Sequence, residues 1–331
     1  MIEVIKHGIL STVQDEGRYG YQHIGVPVCG AMDKSAARIA NLLLGNNKND
    51  AVLEMALMGA TLRFTTHTYI VLSGTKWPAF LDDQPITSLR PYFVKAGQVL
   101  RFGSPLEGGQ PHTNIAYLAV LGGVQTPIIM GSRSCDMKNK LGQAPLKNGD
   151  VLPILPIKAP SNRLHKDIEQ FKIYIESNLG NQKKRTIRVM KGWHWDKLSS
   201  SSQEDFIHST YVVTPASNRM GFRLEGQKLT LTEPINMLSE STVFGTIQLP
   251  PAGQPIVLMA DRQTTGGYPK IANVIWADLG YIAQIPPNAS IQFELCSLEK
   301  AHELYLDRKE KWKKLEQSLT PMKELQELVI R

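Results

Sequence analysis

Five short segments of this chain recur in the same order, each 185 to 191 residues further along. Ile2–Lys6 (IEVIK) returns as Ile187–Lys191 (IRVMK), and Pro27–Met32 (PVCGAM) is answered by Pro215–Met220 (PASNRM). Glu54 stands five residues before Gly59, and Glu240 five before Gly245. Eleven residues past each glycine comes the tripeptide IVL, at Ile70–Leu72 and again at Ile256–Leu258. Last, Gly97–Phe102 (GQVLRF) is matched by Asn288–Phe293 (NASIQF). A chain that repeats itself at so long a period is expected to build one unit twice. The shift grows from 186 at IVL to 191 at the last match, so the second copy carries five additional residues between them. That interval contains Met259–Asn273, MADRQTTGGYPKIAN.

The matched segments read mostly as strands. YIVLSG, VLRFG, IAYLAV, YVVTP, PIVLM and IQFEL are short runs of aliphatic and aromatic residues bounded by Gly, Pro or Asn. Such runs at close spacing predict a mainly β chain of barrels or sandwiches. One early helix is expected over MDKSAARIANLLLG, with Asp33 as N-cap, apolar positions at Ala36, Ala37, Ala40, Leu43 and Leu44, and a stop at Gly45. A second runs from Leu298 to about Leu319, with Ala301, Tyr305, Trp312 and Leu315 on one stripe and the pairs Asp307–Lys311 and Glu310–Lys314 on another. Pro321 breaks it, and MKELQELVI starts again. This tail is either docked on its own core or an arm for a partner. The expected division is 1–180 for the first unit with an extra β-rich stretch, 186–297 for the second, and 298–331 for the helical tail.

Composition narrows the function classes. The apolar share is 42% and the charged share 20%, as in a folded soluble protein. No apolar run approaches the roughly 20 residues that span a bilayer, and the first residues lack the pattern of a secretory signal, so a cytoplasmic protein with no membrane partner is expected. The net charge of +7 is concentrated in Asn181–Arg188 and in Asp307–Lys314, where acids are interleaved; a linker and a solvated helix face explain it without nucleic acid. Cys29, Cys135 and Cys296 form no C-x-x-C pair, and the eight histidines show no H-x-H or H-E-x-x-H spacing, so no metal site is expected.

The polar loops carry the candidate chemistry. In DRQTTGGYPK, Asp261 follows an apolar strand, a place where a rigid scaffold presents side chains to a loop opening. Asp261 is placed to orient Arg262 or Lys270, or to act as a general base. Lys270 suits a carboxylate, a phosphate or a developing oxyanion. Gln263, Thr264, Thr265 and Tyr268 are expected substrate contacts, and Gly266 and Gly267 permit positive φ and a close backbone approach. The segment STVQDEGRYG offers Gln14, Asp15 and Arg18, either as a buried ion pair that fixes the loop or as substrate contacts. Asn218 and Arg219 in SNRMG, and Arg133 in GSRSC, set an arginine among small polar residues, for anion binding or for capping a turn. No G-x-x-x-x-G-K-[ST], no G-x-G-x-x-G opening a helix and no G-x-S-x-G occurs, so neither a nucleotide site nor a serine nucleophile follows from the motifs.

Taken in order, LSTVQDEGRYGYQHIGVPVCGAMD, VLEMALMGATLRF, GSRS, SNRMGFRLEG, GTIQLPPAGQPIVLMADRQTTGGYPKIA and ADLGYIAQIPP resemble a family with several names: allophanate hydrolase subunit 2, KipA, or the C subunit of 5-oxoprolinase, with carboxyltransferase-like members. The resemblance runs from residue 2 to about 300 and leaves the tail uncovered. It implies two related cyclophilin-like β-barrel units. It also implies a KipI-like partner (subunit 1, the B component) and, in the 5-oxoprolinase, a LamB/YcsF-like partner (the A component). ATP is then the co-substrate for opening 5-oxoproline to glutamate. The related module of urea amidolyase transfers a carboxyl group from carboxybiotin to urea. A KipA-type member instead binds a KipI-like kinase inhibitor without catalysis. The family's most marked loop is matched here by Asp261, Gln263, Thr264, Thr265, Gly266, Tyr268 and Lys270, and its N-terminal pattern by Gln14, Asp15 and Arg18. Cys29 stands where the resemblance leads one to expect serine. The chain alone is expected to be inactive.

Overall fold

Strands form where apolar residues alternate or run continuously, and which of the two occurs depends on whether one face or both are covered. The computed structural model describes residues 1–75, 77–104, 114–157 and 186–323. The basic segment at 181–188, the expected boundary between 180 and 186, and the restart after Pro321 lie wholly or partly outside them. The chain divides into two compact units. One comprises Met1–Arg18, Cys29–Glu176 and Lys313–Arg331; the other comprises Tyr19–Val28 and Ser177–Trp312.

The first unit holds two antiparallel sheets. One has the order β11 (Val151–Leu152), β1 (Ile2–Lys6), β4 (Thr61–Phe64), β9 (Val99–Phe102), β6 (Ala79–Leu81), β7 (Gln84–Ile86). The other runs β2 (Leu10–Gln14), β3 (Val52–Ala56), β10 (Ile115–Val120), β5 (Thr68–Ser73), β8 (Tyr92–Val94). Ile2, Val4, Leu62, Phe64 and Leu100 of the first sheet share one buried cluster with Val13, Leu53, Ile70, Leu72, Leu118 and Val120 of the second. β5 and β10 are buried along their whole length, because their outer face is covered by α1 (Lys34–Leu43). That explains their unbroken apolar runs. The Ser73 hydroxyl donates to the Ala36 carbonyl at 2.7 Å, tying helix to strand. Helix α1 is capped as expected: Asp33 accepts from the Ala36 amide at 3.1 Å, and Gly45 leaves the helix at φ 74°.

The second unit is a closed barrel. Its strands follow the order β12 (Thr186–Lys191), β19 (Lys270–Val274), β16 (Thr246–Gln248), β17 (Ile256–Leu258), β14 (Gly221–Glu225), β13 (Tyr211–Val213), β20 (Ser290–Leu295). A parallel pairing of β20 with β12 closes the ring. Helix α2 (Ser200–His208) packs on β20, with Phe206 stacked on Phe293 at 4.6 Å between ring centroids. The short helix α3 (Leu279–Ala283) precedes β20, and the long helix α4 (Leu298–Ser318) follows it. Tyr305 of α4 meets Trp276 edge to face at 5.1 Å, Arg308 donates to the Ala277 carbonyl, and Asp307 pairs with Lys311 at 2.8 Å. Over this stretch the helix is docked rather than a free arm. The chain turns at Leu319 and is helical again over 320–323.

The mainly β class, the few helices and the C-terminal helix are those expected; of the two barrel units that the resemblance implies, the second is a closed barrel and the first is a pair of antiparallel sheets. The repeat keeps strand identity at β1 and β12, β5 and β17, and β9 and β20. It does not keep pairing: β12 and β20 are neighbours, whereas β4 lies between β1 and β9.

Candidate functional site

The DRQTTGGYPK loop leaves β17 and returns as β19, and part of it is held as a strand. Thr265–Gly266 (β18) pairs with Glu240–Ser241 (β15) in a two-residue ribbon. The ribbon continues through Thr242, whose amide donates to the Thr264 carbonyl at 3.0 Å and whose hydroxyl donates to the Gln263 carbonyl. The loop is thus positioned through its backbone. The hydroxyls of Thr264, Thr265 and Tyr268 make no hydrogen bond among the described residues, and Tyr268 is 45% exposed.

Lys270 opens β19 with its side chain 4% exposed. Its ammonium donates to Glu240 Oε2 at 2.9 Å and to the Gly266 carbonyl at 3.2 Å. Glu240 is 49% exposed, so a buried cation is neutralised by a carboxylate that water can reach. Three features fix the lysine. A bulge in β19 sets it opposite Gln248 of β16, where regular pairing after Ile247–Ala272 would have put Ile271. Its amide donates to His194 Nδ1 at 3.2 Å, and its carbonyl accepts from the His194 amide at 3.1 Å. Gly192 allows that approach, since a Cβ there would lie 2.3 Å from the Lys270 carbonyl oxygen.

Asp261 pairs with neither Arg262 nor Lys270. Its two carboxylate oxygens accept from Arg219 Nε at 2.8 Å and Nη2 at 2.7 Å, with both side chains buried at 7% and 5% exposure. Its amide also donates to the Arg219 carbonyl at 2.8 Å. Asp261 therefore orients Arg219 rather than Arg262 or Lys270. Asn218 closes its own turn: its backbone exchanges bonds with Gly221, and its Oδ1 accepts from the Met220 amide at 2.8 Å. The glycines also differ from expectation. Neither Gly266 nor Gly267 has a positive φ. Gly266 lies close against a side chain, because a Cβ there would lie 2.6 Å from Gln248 Nε2 and would have to displace that carboxamide; a Cβ at Gly267 would meet only ordinary contacts.

Gln14, Asp15 and Arg18 belong to the first unit and do not form an ion pair with one another. Asp15 Oδ1 accepts from the Gly17 amide and from the Ser132 and Ser134 hydroxyls at 2.8, 2.7 and 2.5 Å, and Oδ2 accepts from the Arg133 amide at 2.6 Å. The carboxylate is saturated by the GSRS turn, so two motifs far apart in the chain form one structure. Arg18 is fully buried and donates to the carbonyls of Ile129 and Ser134 at 3.0 and 2.8 Å. Gln14 donates to Thr12 at 3.1 Å. These residues brace a loop. Replacing Asp15 by alanine is expected to destabilise the first unit by about 2–3 kcal/mol, since several charge-assisted bonds vanish and their donors stay buried; urea denaturation measures it. Nearby, Glu54 accepts from the Tyr117 hydroxyl and the Met32 amide, each at 2.8 Å, and fixes the turn that carries buried Cys29 at φ 56°. Burial, with the Glu54 and Asp33 carboxylates, holds the Tyr117 phenol well above its ordinary pKa.

Sequence reasoning missed His194 and Gln248 as site residues and saw Glu240 only as a marker of the repeat. Gln248 lies in the quoted GTIQLPPAGQ motif, and nothing in its spacing ties it to Lys270. The Lys270 hydrogen bond holds the Glu240 carboxyl below its ordinary pKa of 4.5. A carboxyl depressed on folding stabilises the native state above its unfolded pKa and loses that contribution as pH falls through its native value. The ribbon is thus expected to loosen only in acid, below about pH 4.5, the ordinary value. Amide exchange at Thr265 and Gly266 should rise there, and Glu240→Gln should remove the pH dependence.

Residues 24–295 match the model described as "Carboxyltransferase domain, subdomain A and B", and the chain belongs to that family. It is 40% identical to the C subunit of 5-oxoprolinase from Escherichia coli (strain K12), over 91% of this chain and 93% of that one. It is 37% identical to the C subunit of 5-oxoprolinase from Haemophilus influenzae, over 93% and 97%. It is 32% identical to urea amidolyase of Saccharomyces cerevisiae, over 92% of this chain and 17% of that one. The solved K. lactis urea amidolyase superposes with a TM-score of 0.79 at 28% identity, over 97% of this chain and 20% of that one. Among the described residues no helix is long and apolar enough to cross a membrane.

Proposed function

We propose that this chain is the C subunit of a 5-oxoprolinase, acting with partner subunits to open the lactam of 5-oxoproline to glutamate at the expense of ATP. The observation that carries the reading is the 40% identity to the C subunit of a 5-oxoprolinase over nearly the full length of both chains. The barrel site supports it chemically. The substrate offers a carboxylate and a lactam carbonyl, and Lys270 is a buried ammonium whose present partner, Glu240, is half exposed and displaceable. In a site screened from water, such a cation stabilises a carboxylate or a developing oxyanion strongly. We assign contact with the substrate to Lys270, with Gln263, Thr264, Thr265 and Tyr268 around it, and a structural role to Asp261 and Arg219. The partners proposed are a KipI-like and a LamB/YcsF-like protein. ATP is consumed by the assembly, and the chain alone is inactive.

The test is reconstitution. The three proteins, given 5-oxoproline and ATP, should form glutamate and ADP in step, and omission of this chain should stop both. A carboxyltransferase acting on urea or a similar amide is the second reading, favoured by the urea amidolyase relatives. It requires biotin on a carrier and predicts carboxylation of urea with no glutamate formed. Tight binding to the KipI-like protein with neither product would point to the non-catalytic KipA-type role.

A further inference from the structure

Gln248 ends β16 directly across from Lys270, on the same face of the barrel wall. It is 2% exposed, its Nε2 is fully enclosed without a partner, and its carboxamide makes no hydrogen bond among the described residues. Buried carboxamides are nearly always paired, because leaving one unpaired is costly. The backbone beside it is also cleared of side chain: Gly266 presents only its Cα to Gln248, and a Cβ there would collide with Nε2 at 2.6 Å and crowd Gln263 Nε2 at 3.2 Å. A bulge, a glycine and a strand register therefore converge on an amide that no described residue of the protein uses.

We infer that Gln248 recognises the amide of the substrate, pairing with it edge to edge. A carboxamide carries an N–H and a C=O side by side. A lactam is a cis amide, so its N–H and C=O also lie side by side, and two antiparallel hydrogen bonds close a ring between them. Urea presents the same edge. A trans secondary amide, with N–H and C=O on opposite sides, cannot make both bonds. Gln248 thus selects small cis amides, while the neighbouring Lys270 takes the carboxylate or the carbonyl oxygen. The ligand reaches this edge as the β15–β18 ribbon parts, with Glu240 leaving Lys270 for water.

This inference rests on the 5-oxoprolinase reading, and one experiment tests both. Gln248→Leu, apolar and one bond shorter, is assembled with its partner subunits and assayed with 5-oxoproline and ATP beside the wild type. KM should rise about tenfold to a hundredfold, the range for two lost neutral hydrogen bonds, with kcat changed much less. Thermal denaturation of the chain alone supplies an independent readout. Removing an unpaired buried amide should leave Tm unchanged or raise it, as is common where a site is kept at the expense of stability. Gln248→Met repeats the measurement with a flexible side chain if leucine packs poorly. An unchanged KM in both variants, or a Tm lowered by several degrees in both, overturns the assignment while the wild-type assembly still turns over. A wild-type assembly that does not open 5-oxoproline overturns the oxoprolinase reading and this inference with it.

Discussion

Asp261→Asn should unfold the barrel unit well before the wild type, at a loss of about 3–5 kcal/mol, the usual result of breaking a buried ion pair from one side. The asparagine cannot accept both Arg219 bonds, and the guanidinium, 5% exposed, has little access to water. For a unit of this size the loss corresponds to a Tm lower by roughly 2–4 °C per kcal/mol. Activity would fall as well, but through the fold. The double variant Arg219→Met with Asp261→Leu separates the two causes. Replacing both charges by apolar groups is often neutral or stabilising, so the double variant should regain most of the lost Tm. Were Asp261 a general base, stability would be restored without activity. Were it structural, a part of the activity would return with the fold. Thermal melts followed by assay of the assembled enzyme decide between them.

Lys270→Met should behave in the opposite way. The substitution keeps most of the length of the side chain and removes the ammonium. Glu240, half exposed, rehydrates at little cost, and the buried ammonium gives way to an apolar group that needs no partner, so the barrel should melt close to the wild type. Turnover by the assembled enzyme should fall about a hundredfold to a thousandfold, the loss seen when one preorganised oxyanion donor is removed. The acidic residue of the loop is thus expected to govern stability and its lysine activity, although both stand in the same stretch from Met259 to Lys270. An unchanged rate in Lys270→Met would remove the lysine from the mechanism.

Much of the local structure was legible in the chain. Asp33 capped the helix it was expected to cap, Gly45 ended it, and the runs YIVL and IAYLAV became strands buried on both faces. The loop DRQTTGGYPK drew attention through its density of polar groups, and Lys270 lies in the site. Its partners were not legible. Asp261 was expected to serve Lys270 or Arg262 and serves Arg219, 42 residues away. Asp15 was open to an ion pair with Arg18, three residues on, or to substrate contact, and meets a serine turn more than a hundred residues on. The glycines were valued for positive φ, and neither Gly266 nor Gly267 has one; Gly266 instead lies close against the Gln248 carboxamide.

Element types, the helix cap, the mainly β class and the loop that bears the lysine could all be read from the residues, because each depends on neighbours within a turn or a strand. Which charges met, which carboxylate was saturated and which amide was left unpaired emerged only once the chain had folded. Those outcomes depend on strand register, where one bulged residue in β19 changes what lies opposite Gln248. Register is set by barrel closure and by burial summed over many strands, and no local pattern of residues carries that sum.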